Sequence, residues 1–323
     1  MANQFTSVEA IIDQAAHGVL AKMPRGRLAD RSIEFLVFGL KQAWACLFGG
    51  LMLAMILMTR LWWPDIGLYR YDFWFLAALS IQLGMIVFRL ETLEEARVIL
   101  IFHVVGTGME IFKTAMGSWV YPDPALLRIA GVPLFSGFMY ACVGSYMVRI
   151  QRIFDISFTR YPPVWMTAFL ALAIYINFFS HHYLFDMRWV LFGITIVLYG
   201  RSWMHYRVFR FTHRMPMLLA FFLVALFIWI AENIATWGRA WIYPGQEHGW
   251  AMVSWSKLGS WYLLMLISVV LVTLVHKPRR HEPAVEAPHL RHNAAGLAPT
   301  ARHPSSRPEG QISPVERFEG RRL

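Results

Sequence analysis

Two glutamates of this chain stand inside or beside long apolar runs, and each is followed by the same residues at the same spacing. The first copy reads Glu110-Ile-Phe-Lys113-Thr114-Ala-Met-Gly-Ser-Trp119-Val-Tyr121-Pro122; the second reads Glu232-Asn233-Ile-Ala-Thr236-Trp-Gly-Arg-Ala-Trp241-Ile-Tyr243-Pro244. Glu, Thr, Trp, Tyr and Pro coincide at one offset (232 − 110 = 122), which also carries Gly137 onto Gly259 and Tyr140 onto Tyr262. A carboxylate within a membrane segment is costly and marks a functional site by default. Two carboxyl groups sharing a poorly hydrated pocket are also the raw material of general acid catalysis. The expected roles are Glu110 as proton donor, Lys113 on the same helix face as the residue that tunes it, and Glu232 as a second carboxylate stabilising positive charge. The bland alternative is that each Glu braces its own helix against Lys113, Thr114, Asn233 or Thr236.

Around this pair the sequence offers further polar and aromatic groups. His103, Thr114, Trp119, Tyr121, Tyr140, Asn233, Thr236 and Trp241 are the expected substrate-binding residues. Trp119, Tyr121, Trp241 and Tyr243 read equally well as an interfacial belt, and Lys113 as a side chain snorkelling to the surface. His181-His182, followed by Asp186, are weak candidates for a mixed nitrogen and oxygen metal site together with Glu110 and Glu232. They lack an HxxxH or HExxH spacing, so no metal and no cofactor is predicted. The run Arg89-Leu-Glu91-Thr-Leu-Glu94-Glu95-Ala-Arg97 is expected to be a solvated loop and helix start braced by ion pairs.

The elements that must position these residues follow from composition. The chain has 323 residues, 57% hydrophobic and 15% charged, with a mean hydropathy of +0.44; globular chains average about 25% charged. The formal net charge of +10 does not point to nucleic acid, because Lys and Arg collect at helix ends. Cys46 and Cys142 lie in apolar blocks with no CxxC spacing, and residues 1–33 have no signal-peptide pattern. No nucleotide motif is present.

The expected fold is all-α: a polytopic membrane bundle of about eight spans, at 35–58, 72–90, 95–117, 130–149, 163–180, 187–204, 216–237 and 254–276. Residues 1–33 form a cytoplasmic segment with an amphipathic helix over 5–23, whose polar face carries Glu9, Asp13, Gln14 and His17. Residues 34–150 and 151–277 form two four-helix repeats, related by an axis along the membrane normal because four is even. Residues 278–323 read as a disordered cytoplasmic tail. The Lys and Arg bias puts both termini in the cytoplasm of a multi-pass inner-membrane protein, with the bilayer as its main partner.

With Lys41-Gln-Ala-Trp-Ala-Cys-Leu-Phe-Gly49, Phe102-His103, Met109-Glu110-Ile-Phe-Lys-Thr114, Gly117-Ser-Trp-Val-Tyr-Pro122 and Gly131-Val-Pro-Leu-Phe-Ser-Gly-Phe-Met-Tyr140, the chain resembles the YoaT-like family of bacterial integral membrane proteins, domain of unknown function 817, over residues 25–277. That resemblance implies a membrane location and no particular activity. The order Glu110, Lys113-Thr114, Gly117, Tyr121, Gly131-Val-Pro-Leu134 is more distantly similar to the membrane-embedded carotenoid-biosynthesis hydratases. That likeness implies acid-promoted addition to a double bond of a long polyene; the chain departs from it at Phe135-Ser136-Gly137-Phe138 and in later helices. The leading expectation is therefore an enzyme acting on a lipid-soluble, isoprenoid-like substrate. The alternatives are a proton- or ion-coupled small-molecule transporter or binder, and a scaffold acting through its C-terminal tail.

Overall fold

The computed structural model describes residues 7–22, 26–64 and 66–281. Helix α1 (Ser7–Lys22) precedes α2 (Arg27–Ala45) and α3 (Leu47–Leu61), which divide the first apolar block between them. At Cys46 the chain turns by 68°. The physical reason is a change of character: α2 carries Asp30, Glu34 and Lys41, whereas α3 holds no charged residue before Arg60 near its end. Then come α4 (Arg70–Val87), α5 (Leu93–Ala115), the short strands β1 (Arg128–Ile129) and β2 (Val132–Pro133), and α6 (Phe135–Ile153). The second half holds β3 (Ser157–Thr159), α7 (Val164–Ser180), α8 (Arg188–Tyr199), β4 (Trp203–Arg207), β5 (Thr212–Pro216), α9 (Met217–Trp237) and α10 (Trp255–Val275).

Every expected block thus contains helix, though the 130–149 block opens in the β1–β2 hairpin and becomes helical only at Phe135, and the blocks are not eight equal rods. Among the described residues α5, α9 and α10 are each long and apolar enough to cross a bilayer, and the bent α2–α3 pair qualifies only when taken together. Helices α7 and α8 are shorter, at 17 and 12 residues. These apolar helices mark the chain as membrane-associated.

Nor is the fold all-α. The block expected to stay helical to 204 stops at Tyr199, and beyond Gly200 the chain forms an antiparallel sheet ordered β3-β4-β5. The aromatic residues Trp203 and Tyr206 in the run Trp203–Arg207 favour a strand over continued helix. Glu34 of α2 fastens the hairpin: its carboxylate accepts the backbone N–H groups of Phe209 (3.2 Å), Arg210 (3.4 Å) and Phe211 (3.2 Å). Arg280 pairs with Phe158 at the sheet edge, and the His281 ring stacks on His205 at 3.8 Å. The expected tail from 282 onward lies outside the described residues.

Two further expectations change at the same end of the bundle. Helix α1 turns its acidic face inward: Glu9 is fully buried beside Arg152 (3.2 Å), and Asp13 pairs with the buried Lys41 (3.0 Å). Ile11 is left 61% exposed. The 89–97 run is solvated only in part: Arg89, Glu94 and Arg97 are exposed, whereas Glu91 and Glu95 are buried in ion pairs with Arg149 (2.6 Å) and Arg152 (3.3 Å). Glu91 is buried, accepting from Gln82 (2.5 Å), Ser145 (2.7 Å) and Arg149 (2.6 Å), and Arg149 is wholly enclosed. Thr92 and Glu95 make a reciprocal capping box that starts α5. A buried ion pair of this kind holds only while both members remain, since either alone would be an uncompensated charge.

Helices α5 and α6 pack closest. A Cβ on Gly106 would fall on the Tyr140 ring, and one on Gly137 would meet the His103 ring at 2.6 Å. Two missing side chains thus set the depth at which α6 lies against α5.

Candidate functional site

The two motif copies end their helices in the same way. After α5, Gly117 N–H bonds Thr114 O (3.0 Å) and Ser118 N–H bonds Lys113 O (3.0 Å). After α9, Arg239 N–H bonds Thr236 O (3.0 Å) and Ala240 N–H bonds Ala235 O (3.0 Å). Gly117 and Arg239 both take left-handed φ, 69° and 57°. This is the Schellman stop, and it throws each chain back along its own helix. The returning segments then meet each other: Val120 and Ile242 exchange two backbone hydrogen bonds of 3.0 Å as an antiparallel bridge.

That reversal aims aromatic donors at the glutamates. Glu110, buried on α5, accepts from Trp119 Nε1 (2.7 Å) and Tyr121 OH (2.6 Å) at Oε2, and from Tyr140 OH of α6 (2.8 Å) at Oε1. Glu232, buried on α9, accepts from Tyr243 OH at Oε1 and from Trp261 Nε1 of α10 (2.7 Å) at Oε2. The glutamate-to-tyrosine step is eleven residues in both copies. Burial, and then the neighbouring carboxylate, push the Tyr121 and Tyr243 hydroxyls well above the ordinary phenol value, so both remain proton donors. The Trp119 and Tyr243 rings meet at 6.0 Å, joining the two clusters. Arg70 locks the frame from α4, binding Asp123 Oδ2 (2.7 Å) and the carbonyls of Gly238 (3.3 Å) and Arg239 (3.2 Å).

Both clusters open on a cavity of about 760 Å³ walled by α2, α3, α5, α6, α7, α9 and α10. Its motif end is lined by Glu110, Lys113, Glu232, Lys257 and Arg188, and the rest is largely apolar, running towards Phe158 and Met204 at the sheet end. Lys257 of α10 lies over the Tyr243 ring (4.3 Å) and the Trp119 ring (5.2 Å). It stands within electrostatic reach of both glutamates.

Several expected residues are placed differently. Lys113 does not pair with Glu110; its Nζ lies 2.9 Å from His182 Nε2 and 3.4 Å from His181 Nε2, over the Phe178 ring (4.0 Å). Burial, followed by the Lys113 charge, lowers the His182 pKa. The histidine pair thus faces an ammonium group, and among the described residues no group of three or more His, Cys, Asp or Glu stands together as a metal set. Trp119, Tyr121 and Tyr140 hydrogen-bond the Glu110 carboxyl group and, with Trp241, line the cavity as expected of residues at the site. His103 packs its ring on Phe138 (4.7 Å) and lines no wall of the cavity, and the Thr114 hydroxyl is likewise buried away from it. Asn233 and Thr236 do not touch the Glu232 carboxylate with their side chains. Asn233 holds Val253 N (2.9 Å) and Trp229 O (2.9 Å); Thr236 bonds Glu232 O (3.0 Å) and accepts from Trp250 (3.1 Å), so both secure the following loop.

Sequence reasoning missed Lys257, Trp261 and Arg188. The available signal was weak: a lone Lys in the first turn of an apolar helix, and a Trp beside the repeated Tyr262.

Residues 34–269 match the family described as "Protein of unknown function (DUF817)". The "Uncharacterized protein YoaT" of Bacillus subtilis (strain 168) is 41% identical over 254 residues, covering 78% of this chain and 96% of the relative. No solved structure matches. Neither match bears on the distant likeness to the carotenoid-biosynthesis hydratases. With most of its length matched by the family and by a relative this similar, the chain belongs to the DUF817 family.

Proposed function

We propose that the bundle crosses the membrane as eight segments in two four-helix halves, with the motif end on the outer face and the Lys- and Arg-rich sheet end in the cytoplasm. In this reading the cavity takes a lipid-soluble, isoprenoid-like molecule and holds its reactive end at Glu110 and Glu232. The observation that carries it is the cavity: about 760 Å³ with largely apolar walls, within the range of small-molecule sites and leading to a paired polar centre. Its walls also include Gly50 and Ala43 on one side and Leu223 and Phe227 on the other, all exposed at the apolar surface, so a long molecule can enter sideways from the bilayer.

Chemically, the three donors around Glu110 fix its carboxyl group at the cavity wall, and the neutral Glu110 carboxylic acid itself supplies the proton, becoming the carboxylate that Trp119, Tyr121 and Tyr140 then hold. Addition of that proton to a polyene double bond leaves a carbocation, and Glu232 is the second carboxylate able to stabilise it. The test is lipid profiling of a deletion strain rescued by the wild type or by Glu110→Gln. A lipid species lost on deletion should return with the wild type and not with Glu110→Gln; a full return with the variant removes the acid role.

A proton-coupled carrier is the second reading, favoured by the pairing of two equivalent acid-bearing turns across one bridge. Proteoliposomes that pass no proton under a pH gradient would reject it.

A further inference from the structure

We propose that the motif end of the cavity is an oxyanion site, and that the molecule held there is an amphiphile with a phosphate or carboxylate head group and a long apolar tail. This rests on the lipid-soluble reading above and adds the chemistry of the head. The argument is a balance of donors and acceptors. The acids at this end are already supplied: Glu110 receives three side-chain donors and Glu232 two. Asp186 is held by Asn177 (3.1 Å), the Arg188 backbone (2.9 Å) and the Arg188 side chain (3.2 Å).

The cations are not supplied. Among the described residues neither Lys113 nor Lys257 is ion-paired to a carboxylate. An ammonium group carries three donors. Lys113, buried, meets only imidazole nitrogens and a Phe face, and Lys257 lies over two aromatic rings. Both line the cavity beside Arg188. The first turn of α10, the positive end of that helix, adds Ser256 and Lys257 to the same wall. Among the described residues, neither ammonium group has an oxygen acceptor within hydrogen-bond distance. Lysines held off their neighbouring glutamates by aromatic rings are placed to receive them from a ligand.

The full-length protein in detergent should bind hexadecyl phosphate at least roughly tenfold more tightly than hexadecanol, read by tryptophan quenching and by the melting shift. Lys113→Met with Lys257→Met should erase that preference, while Lys113→Arg with Lys257→Arg keeps it and shows that the fold survives. Equal affinity for both amphiphiles in the wild type overturns the proposal. Tight binding of inorganic phosphate alone, undisturbed by hexadecyl phosphate, would make the site one for a free oxyanion and also overturn it. Ala231→Trp fills the cavity and should expel hexadecanol and hexadecyl phosphate alike. If hexadecanol still binds there, the cavity reading fails, and the comparison of head groups is judged separately.

Discussion

The tyrosines that hold the acids are expected to matter for stability as much as the acids themselves. Tyr121→Phe and Tyr243→Phe each leave a buried carboxylate oxygen short of a donor. Each should cost about 1–3 kcal/mol, measured as a lower melting temperature in detergent. His182 gives a pH signature. Its pKa lies below the ordinary 6.5 because burial, and then Lys113, disfavour the charged ring. The folded chain therefore binds fewer protons there than the unfolded chain does. That contribution to stability is full above pH 6.5 and is lost as pH falls from 6.5 through the lowered value. His182→Asn should flatten the acid limb of a melting-versus-pH curve, with His181 and Lys113 the other titrating groups at that spot. Glu110 and Glu232 were legible because the chain repeats them among rare residue types. Their ligands were only half legible: Trp119 and Tyr121 lie within the repeat, whereas Trp261 has Met139 as its counterpart at the same offset, and Lys257 reaches its rings only through tertiary packing.

Among the elements, the α5–α6 contact is the one that sets the site. Gly106→Ala pushes a methyl group into the Tyr140 ring. It should cost about 1–3 kcal/mol by overpacking and should weaken the Tyr140 bond to Glu110. The Glu91–Arg149 pair offers a second measurement. Arg149→Met leaves Glu91 buried without its charge partner and should cost about 3–5 kcal/mol, whereas adding Glu91→Gln to it should restore part of that loss. Helix positions were legible because apolar blocks in a membrane chain have few other options. The break at Cys46, the β4–β5 hairpin and the inward acidic face of α1 were not. The hairpin and the α1 face depend on charges from distant segments, Glu34 on Phe209–Phe211 and Arg152 on Glu9, which periodicity does not record.

For the molecule as a whole, the proposed topology places Glu247 of the motif end and Arg210 of the sheet end on opposite faces of the membrane, and both are exposed. With Cys46 and Cys142 replaced by Ser, a membrane-impermeant maleimide applied to intact cells should label Glu247→Cys and not Arg210→Cys. The reverse pattern would invert the proposed orientation. The bridge between Val120 and Ile242 has a mechanical corollary. Each strand of it is the return path from one acid, so a tug on either path is delivered to the other through main-chain atoms, with no side chain as courier. Amide hydrogens at 120 and 242 should then be released to solvent together, at one shared rate. Whatever occupies the cavity should slow both by the same factor, even if it touches only one of the two acids.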